Sequence, residues 1–366
     1  MSNYYLIILW FAGMWVVFFS AQTKRKEYVL GEYTYRTHPL YAYIAFAPVI
    51  IWAGWRDDFV DTWNYRRLYQ EVFPTSLNDF ASYMGTVTKD KAFYAFSALI
   101  RICLGNKEVV YFLIIAMIQG IILIAVYRKY STNYLLSIFL FVISADYLSW
   151  MFNGIRQFMA VTIIFAGTAL LVKKKYVPLI VLVLIASLFH QSALLFIPFV
   201  FIVQGKAWNK KTILFVIGVI LVVAFVGRFT NLLDAALSET QYTNVVSDWK
   251  EFEDNGTSVL RVLVYSVPMI MSLLGLRYIE AENNPIINIC TNMSIVTTGF
   301  YVVSIFTSGI FIGRLPIYFS LYNYILLPWE IEHMFEKRSQ QVITLVMILA
   351  YLYYYYYQIH VGWGVV

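Results

Sequence analysis

Long apolar runs separated by short polar stretches constrain this chain more than any other feature. A helix needs about 20 residues to cross the hydrocarbon core of a bilayer. Only helices and closed barrels satisfy every backbone polar group there. By that measure the chain holds about twelve crossings. They lie near 3–22, 39–55, 108–127, 134–152, 157–172, 176–190, 191–204, 212–231, 259–278, 286–309, 314–331 and 341–358. The runs lack the alternation of a membrane barrel. The expected fold is therefore an all-α polytopic membrane protein, a single transmembrane domain over 1–366. The apolar segment 92–104 carries Arg101 and is expected to be interfacial or re-entrant, within an outer loop over 56–107. A second outer loop, acidic, is expected over 232–258.

Composition removes the alternatives. Charged residues make up 13% of the chain and hydrophobic ones 60%, whereas soluble domains carry about 25% charged residues. Disorder, coiled coil and a secreted disulfide scaffold are excluded. Cys103 and Cys290 lie in apolar stretches and supply neither a disulfide framework nor a zinc site. The net charge of +6 does not imply nucleic acid, because no basic domain lies outside the apolar runs. The segment Tyr4 to Ser20 has no basic residue before it, and Lys24-Arg25-Lys26 follows. That is the reverse of a cleavable signal.

Basic residues set the expected orientation. With the N-terminus outside, the runs Lys24 to Lys26, Arg128-Lys129, Lys173 to Lys175 and Lys206 to Lys211 all face the cytoplasm. The unusual polar motifs then fall at outer ends of spans: Arg56-Asp57-Asp58, Asn153-Gly154-Ile155-Arg156-Gln157, His190-Gln191-Ser192 and Gly313-Arg314. A transporter would place its binding groups near the midplane on paired repeats. No internal repeat is evident, so the sidedness favours binding or chemistry at the outer leaflet.

Each motif has a functional and a plainer reading. Asp57, Asp58 and Asp61, followed by Tyr65, Arg66 and Arg67, are costly together unless paired, hydrated or used. They suit sugar hydroxyls; the plainer reading is a solvated helix start, and a hard-cation site is a third option. Arg156 sits between spans joined almost without a loop, where its planar fork would match phosphate oxygens. Otherwise it snorkels to headgroups or pairs with Asp146. His190 could take a proton from a hydroxyl nucleophile, or simply bond a neighbouring helix. Arg314 follows a Gly313 break and would add a second positive charge for a diphosphate. The acids of the 232–258 loop, with Tyr242 and Trp249, could cover a saccharide or be solvated. The run Tyr351 to Tyr357 suits the interfacial aromatic belt. No P-loop, dinucleotide fingerprint, nucleophile elbow or HExxH is present.

The ordered set resembles the EpsG-like branch of the Wzy-type polysaccharide polymerases. The residues that carry it are Arg56-Asp57-Asp58 with Asp61 and Tyr65, Asn153-Gly154-Ile155-Arg156-Gln157, Ser187 to Leu194 with Pro198, and Gly313-Arg314, from about residue 50 to 330. The resemblance implies a GT-C-like enzyme of the bacterial inner membrane with its active site facing outwards. It also implies a polyprenyl-diphosphate-linked donor and a lipid-linked acceptor, with a chain-length regulator as partner. No nucleotide sugar, other cofactor or obligatory metal is implied. Combined with the residue chemistry, it suggests Arg156 and Arg314 for the diphosphate and His190 for the acceptor proton, with Asp58 as the alternative base. Arg56, Asp57, Asp61, Tyr65, Asn153, Gln157 and Ser192 are the expected substrate contacts. A ligase of related architecture and a lipid-linked glycan flippase or permease are the competing readings.

Overall fold

The computed structural model describes residues 2–20, 23–29, 31–237 and 256–366. Among the described residues the structure is all-α apart from one small hairpin. Among the described residues, four helices have the length and apolarity to cross a membrane: Asn3–Ser20, Glu108–Tyr130, Pro285–Ile305 and Lys337–Gly362. The number rises to seven if each of three sharply bent pairs is one span. Shorter apolar helices cover Pro39–Gly54, Ile155–Ala166, Tyr176–Ser187 and Gln191–Ile202. The chain divides into two compact units, Met1–Ile197 with Gln341–Val366, and Pro198–Gln340.

In the first unit, α1 (Asn3–Ser20) leads into strands β1 (Lys24–Val29) and β2 (Glu32–Thr37). They pair antiparallel, with Lys26 opposite Tyr35 and Tyr28 opposite Tyr33. Gly31 adopts φ +98° at the turn, which favours a residue without Cβ. Between the first two expected spans, Lys24–Val29 and Glu32–Thr37 thus form a hairpin. Then α2 (Pro39–Gly54) begins at His38, whose Nδ1 accepts from the Leu40 N–H at 3.3 Å, with Pro39 in the first turn. Helices α3 (Thr62–Arg67), α4 (Leu77–Thr86) and α5 (Lys91–Leu104) follow. They precede α6 (Glu108–Tyr130), α7 (Tyr134–Ile143), α8 (Ile155–Ala166), α9 (Thr168–Val172) and α10 (Tyr176–Ser187).

Two glycines let α2 and α6 approach closely. A Cβ on Gly54 would meet the Leu113 Cβ at 2.9 Å and its Cα at 3.0 Å, and one on Gly120 would overlap the end of Ile50. Small residues do this work in membranes, where lipid is as apolar as the helices themselves. Helix α7 is buried on every side, and α8 on most. The first and last helices also meet. The Tyr355 hydroxyl donates to the Tyr4 carbonyl at 3.1 Å and lies 2.6 Å from the Tyr147 hydroxyl. Tyr5 and the His360 Nε2 lie 2.9 Å apart. Tyr354 and Tyr355 are buried, while Tyr353 and Tyr356 are exposed, so the tyrosine run has two faces.

The second unit is organised by the buried helix Pro285–Ile305, capped by Asn284. One turn apart on it, Asn288 accepts from the Ala207 N–H at 3.0 Å, and Asn292 accepts from the Trp208 N–H at 3.1 Å. Asn292 also donates to the carbonyls of Val203 and Lys206. A loop that could not be buried unpaired is satisfied this way.

Several expected spans are broken. The run 134–152 bends by 76° between Tyr134–Ile143 and Tyr147–Asn153, with Ala145 at φ +60°. The run 212–231 bends by 99° between Lys210–Ala224 and Val226–Ala235, and 259–278 bends by 68° between Val259–Leu274 and Leu276–Glu282. Hydropathy averages over a window and does not register a backbone break inside it. Residues 232–237 of the expected acidic loop lie in the helix Val226–Leu237, and 238–255 lie outside the described residues.

Replacing Gly54 with Ala should push α2 from α6 and cost about 1–3 kcal/mol. Thermal unfolding of the purified protein in detergent checks this. An unchanged midpoint would show that the contact tolerates the added methyl.

Candidate functional site

Beyond Gly54 the chain leaves α2 and is tied down by the segment 151–153. Arg56 is 4% exposed. Its Nη1 donates to the carbonyls of Ala53 at 3.0 Å and Met151 at 2.7 Å. Its guanidinium lies over the rings of Phe112 and Phe152, with centroids 4.1 and 5.5 Å away. Thr62 donates to the Phe152 carbonyl at 3.2 Å, and the Asp61 N–H donates to the Asn153 side chain at 3.3 Å. Two motifs some 95 residues apart in sequence therefore form one structure. Burial pulls Arg56 down to about 9, so it stays charged at neutral pH. Among the described residues its Nε and Nη2 have no hydrogen-bond partner.

Arg156 opens α8 beside this anchor. Its Nη1 donates to the Asp90 carboxylate at 2.8 Å and the Tyr94 hydroxyl at 3.2 Å, and its Nε donates to the Tyr65 hydroxyl at 3.2 Å. The acid that pairs with it is Asp90, in place of the Asp146 considered from sequence. The Arg156 side chain is 27% exposed and that of Asp90 4%. A guanidinium held this way keeps its charge at an accessible position, while its orientation is fixed from three sides.

Asp90 links Arg156 to the histidine motif. It stands at φ +53° immediately before α5. Its carboxylate faces the backbone N–H of Gln191, and the Ala92 N–H donates to the Leu188 carbonyl at 2.9 Å. His190 ends the turn after α10, and its Nδ1 lies 2.7 Å from the Ser192 hydroxyl. Burial pushes the Asp90 carboxyl above its ordinary value, partly offset by the Arg156 guanidinium. Burial also raises Tyr65, which keeps its hydroxyl proton.

The other expected residues are placed as follows. Asp57 and Asp58 are exposed, Asp61 is half-buried, and Asn153 and Gln157 are buried. Asp58 is bonded by Arg66, whose Nε lies 3.0 Å from Glu108. Among the described residues no three His, Cys, Asp or Glu side chains gather in a cation-binding group. Arg314 belongs to the second unit, where it is exposed at the end of the short turn Ile312–Arg314. There a Cβ on Gly313 would lie 2.4 Å from the Thr257 hydroxyl.

Asp90 and Tyr94 escaped sequence reasoning. Lys89-Asp90-Lys91 reads as a solvated charge run. The available signal was an Asp just before an amphipathic helix, with a tyrosine one turn on.

Between the ordinary carboxylate value and the raised value of Asp90, the native state binds more protons than the unfolded chain. Its contribution therefore lowers stability as pH rises through that window. The variant Asp90→Asn should flatten that part of the stability profile, read as unfolding midpoints across mildly acidic pH. An unaltered profile would show that Asp90 is not the responsible group.

The EpsG family model matches residues 39–362. No curated protein and no solved structure matches the chain. With nearly its whole length covered and the polar motifs assembled as described, the chain belongs to the EpsG family, a family of polysaccharide polymerases.

Proposed function

We propose that the protein lengthens a glycan carried on polyprenyl diphosphate by adding lipid-linked repeat units at the outer face of the bacterial inner membrane. Arg156 carries this reading. It is an oriented and partly accessible cation, held by Asp90, Tyr65 and Tyr94 at the edge of an apolar helix bundle. The acceptor hydroxyl attacks the donor's anomeric carbon and forms the new C–O bond. The bond from that carbon to the diphosphate oxygen breaks, and its electron pair leaves with the polyprenyl diphosphate. Arg156 and Arg314 stabilise the charge that develops on the leaving group. His190, oriented through Nδ1 by Ser192, takes the acceptor proton. Asp58, paired with Arg66, is the alternative base.

In-line displacement inverts the anomeric centre. The diphosphate is already a good leaving group, so the chemistry needs no metal ion. About twelve crossings in a GT-C-like arrangement would carry the site. The basic runs of the expected inner loops support the outward orientation. A chain-length regulator is the expected partner, and the product is an exopolysaccharide or O-antigen chain.

Purified protein in liposomes, given lipid-linked repeat units, should yield a ladder of lengths. A single transfer product would establish a ligase, and translocation without lengthening a flippase. Arg156→Ala and Arg314→Ala should each slow elongation by about 10²–10³-fold while the protein still folds. Near-normal ladders from both would remove the diphosphate assignment.

His190→Gln should lower the elongation rate by about 10²–10⁴-fold. It should also abolish the limb of the pH–rate profile that reports the base. A profile unchanged in rate and shape would exclude that role.

A further inference from the structure

We infer that a groove between α1 and α2, together with the polar pocket at its end, seats the lipid-linked acceptor saccharide. This rests on the polymerase reading above. The groove has a volume of about 720 Å³ and is walled by Leu6, Leu9 and Trp10 of α1 and by Pro48 and Ile51 of α2. The Trp10 indole donates to the Ala45 carbonyl at 3.0 Å and fixes the two helices together there. The groove ends at Asn3 and Trp52, and the same two residues begin a pocket of about 310 Å³. That pocket is completed by Asp57, Asp58, Phe59 and Phe152 beside the first residues of α1.

The order of chemistry along this path identifies the occupant. The groove is apolar and suits a hydrocarbon tail. At the junction lies the N-terminus of the 18-residue α1, the positive end of a helix dipole, which suits the phosphates of a linker. Ser2 organises that end: its carbonyl accepts from Tyr5 at 3.0 Å and Leu6 at 3.2 Å, and its hydroxyl accepts from Tyr4 at 3.4 Å. The pocket then offers two carboxylates, acceptors for sugar hydroxyls, and aromatic faces for the sugar's C–H groups. Tail, diphosphate and sugar meet matching surroundings in the order in which a lipid-linked saccharide presents them. A polymerase must hold two such molecules. With the donor's diphosphate at Arg156, this path is left for the acceptor. Residues 3–10 precede the matched region 39–362, so the family match assigns them nothing.

The test fills the groove. Leu9 and Ile51 are 54% and 50% exposed, so Leu9→Trp and Ile51→Trp change an accessible wall. With purified lipid-linked single repeats as acceptor, both variants should raise the acceptor KM at least about tenfold, with kcat and the donor dependence unchanged. In parallel, a benzophenone amino acid placed at Leu9 should cross-link radiolabelled lipid-linked repeat unit in preference to phosphatidylglycerol. An unchanged acceptor KM in both variants, beside a normal wild-type ladder, overturns this inference and leaves the polymerase reading intact. Equal cross-linking of phosphatidylglycerol also overturns it, marking the groove as an annular lipid contact. If the wild-type protein makes no ladder, the polymerase reading fails, and the cross-link at Leu9 still decides the groove.

Discussion

Much of the first unit depends on a guanidinium buried where water cannot reach it. Desolvating such a cation costs several kcal/mol, and Arg56 offsets this with two backbone carbonyls and two aromatic faces. One of those carbonyls, Met151, belongs to the irregular turn that precedes α8. The charge therefore does what a loop of ordinary length could not. It joins the exit of α2 to the entrance of α8 and sets the position from which Arg156 projects. The close helix approach at Gly54 lies two residues away, so packing and electrostatics are anchored at the same point.

Arg156 is built on the opposite principle. Where Arg56 is sealed, Arg156 is partly open, and its three side-chain partners come from α3 and from the start of α5. Tyr65 contributes from α3 and Tyr94 from α5, while Asp90 stands at the turn before α5. Tyr65 also belongs to an aromatic cluster with Tyr69, Phe93 and Tyr111, which locks the short helices against α6 and α8. A cation positioned by packed rings needs little reorganisation when an anion arrives. That is the condition under which a fixed charge contributes most to a developing negative one.

Much of this was legible in the sequence, for a specific reason. Arg56, Arg156 and Asn153 stand out because a charged or amide group at the edge of an apolar run must be accounted for, and the structure brings the first two motifs together. Tyr65 was legible through its spacing from the acids. Asp90 was not, because flanking lysines make an acid look solvated and nothing local reveals burial by a distant turn. The bends at Ala145, Phe225 and Gly275 were hidden for a related reason: backbone geometry leaves no trace in average hydropathy. The hairpin at 24–37 was passed over because a short basic segment between two spans reads as a plain loop.

The tyrosines that join the helices Asn3–Ser20 and Lys337–Tyr357 bear on how the first unit assembles. Tyr4 and Tyr5 lie some 350 residues from Tyr355 and His360 in sequence. Contacts so far apart carry a large loop-closure entropy and form late. The first unit is thereby a ring closed by side chains rather than by backbone, built from the two stretches Met1–Ile197 and Gln341–Val366.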